Sequence, residues 1–267
     1  MTVKDDSEPD GAEDARRIPP LEGGRNFRDL GGYATHDGRR VRWHRLYRSG
    51  SPAELTARDW GWLLAQGVRA VCDLRGTQER DAAPFAWRQS PGIGYWTRDY
   101  ETSFGELRAL MMSDFTTGEA AREAMMAGYR RLPFEQAPGY REIFRRLKAG
   151  EVPLMFNCSA GKDRAGTAAA LILSALGVPR DVVREDYLLS NRHLGFSRAA
   201  TGKAGGGSLF GRLSPDVRDA ILTCEPYYLD AAFAAIDETC GSFPAYCRDI
   251  LETDEADIAI IRHSLLE

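Results

Sequence analysis

Cys158 and Arg164 stand six positions apart in the run Asn157-Cys158-Ser159-Ala160-Gly161-Lys162-Asp163-Arg164. A thiol and a guanidinium at that spacing, separated by small and polar residues, can serve one reaction. If a strand ends at the cysteine and a helix starts at the arginine, the loop between them turns successive backbone N–H groups inward, into an anion nest. Gly161 can take the unusual dihedrals that such a loop needs. The following helix points its positive N-terminal end at the same spot. Arg164 can grip two oxygens of a tetrahedral phosphate in fork geometry. The same field favours the thiolate of Cys158 over its thiol. Nucleophile and anion cradle in one loop imply phosphoryl transfer through a phosphocysteine intermediate. The plain alternative is a buried structural cysteine before a core helix, because C-x5-R alone is a loose pattern. Strand before, glycine within and helix after favour the chemical reading.

The neighbouring sequence supplies that context. Residues 152–157 form an apolar run of strand length, and 165–176 form an Ala- and Leu-rich helix stopped by Gly177 and Pro179. Upstream, 41–48 reads as a strand after the turn His36-Asp37-Gly38. Trp60, Leu63, Leu64 and Gly67 recur at helical spacing, and 68–74 and 93–97 read as further strands. Helical composition covers 118–132, and Tyr140, Ile143, Phe144 and Leu147 form a helical stripe closed by Gly150. Downstream, the patterns at 181–192, 229–236, 243–251 and 258–265 are helical, with a glycine-rich loop at 201–211. Strands alternate with helices first, and helices alone follow. This predicts one α/β domain, a central twisted sheet flanked by helices on both faces, with a helical C-terminal extension. Its expected span is 18–267, after a charged tail at 1–17 that has no aromatic residue and reads as disordered.

The loop resembles the signature of the cysteine-dependent protein tyrosine phosphatase superfamily, and its CxAGKDR form resembles the bacterial branch of atypical tyrosine/serine phosphatases. Four other stretches agree, in the family's order: Asn26-Phe27-Arg28-Asp29-Leu30-Gly31-Gly32-Tyr33; Leu46-Tyr47-Arg48-Ser49-Gly50; Asp73-Leu74-Arg75 with Glu79; and Asp186-Tyr187-Leu188-Leu189-Ser190-Asn191. The resemblance implies a tyrosine-phosphatase-like fold, Cys158 as nucleophile and Arg164 as phosphate clamp. It implies Asp73 as general acid, protonating the leaving oxygen and then activating water. Asp163, beside the phosphate, is the rival for that role, or else a carboxylate that holds the loop. Ser159, Ala160, Gly161 and Lys162 would bind substrate, with Lys162 adding charge at the pocket mouth. Arg75 would join them, or pair with Glu79 to brace the Asp73 strand. The chain departs from the family pattern at Asn157, where the family has His, and at Ala165, where it has Thr or Ser.

The implied activity is metal-free hydrolysis of a phosphorylated protein, phosphotyrosine first, or of a phosphorylated lipid or small molecule. The alternatives are a phosphate-binding pseudophosphatase and a phosphoinositide or small-molecule phosphatase. No cofactor is expected. The four histidines do not cluster in sequence, and the five cysteines form no CxxC pair, so no metal site is expected. A net charge of −4 argues against nucleic acid as a partner. No apolar run reaches the roughly 20 residues of a bilayer span, and no apolar leader precedes the tail, so the expected location is the cytoplasm.

Overall fold

Five short strands form one mixed sheet: β1 (Arg28–Asp29), β2 (Leu46–Ser49), β3 (Ala70–Asp73), β4 (Gly94–Thr97) and β5 (Leu154–Asn157), in the order β1-β2-β5-β3-β4. This is a computed structural model, and it describes residues 16–100, 117–194 and 213–267. The tail up to residue 15 and the glycine-rich stretch 201–211 lie outside the described residues. Strand β1 runs antiparallel to β2, and the other pairings are parallel. The register aligns Ser49, Asn157 and Asp73 across three neighbouring strands. Their carboxyl ends therefore open onto one place, which is where open α/β sheets bind ligands.

The two-residue period of the strands sorts the core onto two faces. Leu46, Ala70, Cys72, Leu154 and Phe156 point into the larger cluster. Tyr47, Val71 and Met155 point into the smaller one, with Trp60, Leu63 and Phe85. On the smaller face lies α1 (Ala57–Ala65), started by a capping box between Thr56 and Asp59. The short α2 (Thr77–Ala82) follows β3. The larger face carries α3 (Gly118–Glu135), α4 (Ala137–Lys148), α5 (Arg164–Leu176) and α6 (Arg180–His193). Beyond them come α7 (Pro215–Leu222), α8 (Pro226–Cys240), α9 (Phe243–Asp249) and α10 (Glu255–Leu265). The helices on both faces and the helical final third agree with the sequence reading.

Two boundaries differ. The expected strand over 41–48 joins the sheet only from Leu46. His44 has φ 61°, and its N–H donates to the buried Asp29 carboxylate at 2.7 Å, so the chain bends away from the ladder there. Val41 instead bridges to Leu266, at the end of α10. At the tail, Arg17 is buried, so order begins at least one residue earlier than expected. It donates to the carbonyls of Asp29 (3.0 Å) and Gly31 (2.7 Å) and lies over the Tyr33 ring. A guanidinium with those partners is anchored despite the charged run before it.

Candidate active site

Strand β5 ends at Asn157, and the run Cys158 to Asp163 carries the chain into α5, whose first residue is Arg164. Three consecutive carbonyls of this loop are tied outward. Ser159 O accepts the Ser51 N–H at 2.9 Å. Ala160 O accepts Nδ2 of Asn26 at 3.1 Å. Gly161 O accepts Nη2 of Arg48 at 2.7 Å. A trans peptide points its N–H opposite to its carbonyl. The N–H groups of Ala160, Gly161 and Lys162 thereby point away from these three partners, the arrangement that an anion nest needs. Gly161 has φ 72°, and a Cβ there would lie 2.6 Å from Gly50 N, so only glycine fits.

The donors that tie these carbonyls are themselves fixed. Arg48 donates to Asp186 Oδ2 at 2.5 Å, and Arg28 to Asp186 Oδ1 at 3.0 Å. Arg28 also donates to Oδ1 of Asn26 at 2.7 Å, which aims that amide at Ala160. All three charged groups are buried. Burial alone would raise the Asp186 carboxyl, but the charges of Arg28 and Arg48 hold it well below the usual carboxylate range. Thus the second, third and fifth motifs of the resemblance meet at the loop.

Cys158, the first residue of the loop, is buried and carries a free thiol. Arg164 is gripped by Glu79, whose Oε2 accepts Nη1 at 2.5 Å and whose Oε1 accepts Nη2 at 2.7 Å. Glu79 also accepts the Ser159 hydroxyl and, at 2.8 Å, the Gly76 N–H. Burial pushes the Glu79 carboxyl up, but the Arg164 hydrogen bonds and charge outweigh it and hold it at about 2. The sequence reading offered Arg75 as one partner for Glu79, whereas the structure pairs Glu79 with Arg164.

Three expected site residues stand elsewhere. Asp73 is fully buried, with both oxygens occupied. Its Oδ1 accepts Nδ2 of Asn157 (2.8 Å) and Nε of Arg75 (2.9 Å), and its Oδ2 accepts Nη2 of Arg75 (2.7 Å) and the Tyr95 hydroxyl (2.8 Å). A carboxylate so paired has no oxygen to offer a leaving group, and its geometry is that of a brace under the loop. Arg75 is its buried partner and also donates to Ser51 Oγ (3.0 Å) and Ala83 O (2.6 Å), so its guanidinium is held inside the protein. Lys162 is buried too. Its Nζ donates to Ile221 O at 2.6 Å, at the carboxyl end of α7, and lies 3.3 Å from Asp163 Oδ1. It is not a charge at the pocket mouth.

Asp163 is partly exposed. Its Oδ1 accepts the Tyr129 hydroxyl at 2.6 Å, while Oδ2 has no hydrogen-bond donor among the described residues. Tyr129 was missed at the sequence level. With Met125 and Leu132 it marks the buried stripe of α3, and nothing in that spacing sets its hydroxyl apart from core. No three His, Cys, Asp or Glu side chains come together as a metal site among the described residues.

The model of the tyrosine phosphatase family matches residues 19–267. The chain belongs to that family. A Cupriavidus necator protein provisionally named a tyrosine-protein phosphatase is 37% identical over 240 residues, spanning 87% of this chain and 84% of its own length. The triple specificity protein phosphatase PtpB of Mycobacterium tuberculosis is 31% identical over 265 residues, covering 87% of this chain and 93% of its own. The fold is the tyrosine-phosphatase-like α/β fold, and the protein is a cysteine-dependent phosphatase that works through phosphocysteine. Its substrates are phosphorylated. No helix of the described residues is long and apolar enough to cross a membrane.

Proposed function

We propose that this phosphatase hydrolyses phosphotyrosine in proteins with Cys158 as nucleophile, Arg164 and the loop N–H groups as phosphate clamp, and Asp163 as proton carrier. In the first step the Cys158 sulfur attacks phosphorus. An S–P bond forms, the P–O bond to the leaving oxygen breaks, and that oxygen takes a proton from Asp163. In the second, a water oxygen attacks phosphorus while Asp163 takes the water's proton. The S–P bond breaks and its electron pair returns to sulfur. The nest and the guanidinium meet the charge spread over the equatorial oxygens in both transition states.

The observation that carries this assignment is the contrast between the two aspartates. Asp73 has both oxygens occupied in a buried cluster. Asp163 keeps Oδ2 without a donor among the described residues, next to the clamp. A phosphoinositide carries further phosphates that an available lysine would suit, but Lys162 donates to Ile221 O. The five cysteines all carry free thiols, which suits a reducing compartment, and the cytoplasm is the proposed location.

A leaving-group series tests the roles. In Asp163→Asn, kcat/KM should fall about a hundredfold or more for phenyl phosphate. It should fall much less for p-nitrophenyl phosphate, whose leaving group departs without a proton. Asp73→Asn should slow both esters by the same factor and lower Tm. Cys158→Ser should abolish turnover yet retain inorganic phosphate binding. The reverse pattern in the two aspartate variants would return the proton to Asp73.

A further inference from the structure

The Tyr129 hydroxyl has one proton and two close oxygen partners. It lies 2.6 Å from Asp163 Oδ1 and 2.6 Å from the Tyr187 hydroxyl. A carboxylate can only accept, so the Tyr129 proton goes to Asp163. The contact between the tyrosines must then use the Tyr187 proton. The direction is therefore Tyr187 to Tyr129 to Asp163 Oδ1. Burial above all, and then the nearby charge of Asp163, keep the Tyr129 hydroxyl protonated far above its ordinary range, so the donor is permanent.

The rings are held as firmly as the hydroxyls. Tyr129 and Tyr187 are both fully buried and meet edge to face at 6.1 Å. Tyr228 of α8 stacks on Tyr129 at 5.5 Å. Three helices thus fix a single phenol oxygen. Of the two carboxylate oxygens of Asp163, one is committed to Tyr129 and the other, Oδ2, faces no donor among the described residues.

We propose that Tyr129, backed by Tyr187, is a positioning residue for the proton transfer: it holds Asp163 so that Oδ2 carries the proton to and from the substrate. This rests on the assignment of Asp163 made above. Tyr129 does not touch the phosphate, so its loss leaves anion binding alone and impairs only the transfer that Asp163 performs.

The test compares phenyl phosphate with p-nitrophenyl phosphate in Tyr129→Phe, which keeps the ring stack. For phenyl phosphate kcat/KM should fall about tenfold, for p-nitrophenyl phosphate less than about threefold, with the Ki of inorganic phosphate unchanged. In an Asp163→Asn background the same change should have no further effect. Tyr187→Phe leaves the contact to Asp163 in place and should show a smaller slowing of the same kind, which decides the matter even if Tyr129→Phe fails to fold. Equal slowing of both esters, or an effect that persists in Asp163→Asn, would overturn the positioning role alone. If Asp163→Asn itself shows no leaving-group dependence, the assignment of Asp163 falls, and this inference with it.

Discussion

Glu79 meets both Nη atoms of Arg164, which fixes the guanidinium plane of the proposed phosphate clamp. Glu79→Gln keeps one acceptor oxygen and loses the charge. The Kd of inorganic phosphate at pH 6, measured by calorimetry, should rise about three- to tenfold, the effect of a weakened charge-assisted fork. The folded carboxyl sits at about 2 against an ordinary 4.5. A depressed carboxyl contributes stability that is complete above 4.5 and is lost as pH falls toward 2. The natural protein should therefore lose stability more steeply over that window than Glu79→Gln does. At this scale the sequence was informative where the proposed chemistry lies in contiguous residues, as for Cys158 and Arg164, which the structure places at the two ends of one strand-to-helix loop. It was silent on Tyr129, whose partner Asp163 is distant in the chain and whose spacing is that of ordinary core.

The buried Lys162 ammonium joins the active-site loop to the carboxyl end of α7, where cations are favoured. Lys162→Met keeps the length and removes the donor. It should lower stability by about 1–3 kcal/mol, seen as a Tm several degrees lower, because Ile221 O is left without this partner. Its KM for aryl phosphates should change less than about twofold, whereas a lysine that touched phosphate would raise KM severalfold. The elements themselves were legible in proportion to their apolar pattern. Strands β3, β4 and β5 and helices α3 to α6 carry clear runs or stripes, and the structure places them within a few residues of expectation. The two-residue β1 and the polar α2 have no such pattern, because hydrogen bonds and ion pairs position them. The same reason hid the bend at His44, where the distant Asp29 carboxylate decides the backbone.

Across the whole molecule, Arg28, Arg48 and Asp186 form the buried hub that joins β1 and β2 to α6. Asp186→Asn leaves two guanidiniums buried with no compensating charge, which should cost about 3–5 kcal/mol by chemical denaturation. The Asp186 carboxyl is depressed from 3.8, so its contribution is complete above pH 3.8 and fades below it. Stability of the variant should accordingly fall less steeply in acid than that of the natural protein. The layered α/β architecture followed from the order of apolar patterns, but this charged centre did not, since charged residues in a sequence read as surface. Its consequence concerns time. A ribosome delivers Asn26, Arg48 and Ser51 first, then Cys158 to Arg164, and Asp186 only later. Until that carboxylate emerges, Arg48, which donates to Gly161 O, lacks its counter-charge. The nascent phosphatase should therefore gain its activity only once α6 has docked, so a chain truncated before Asp186 is expected to show no turnover.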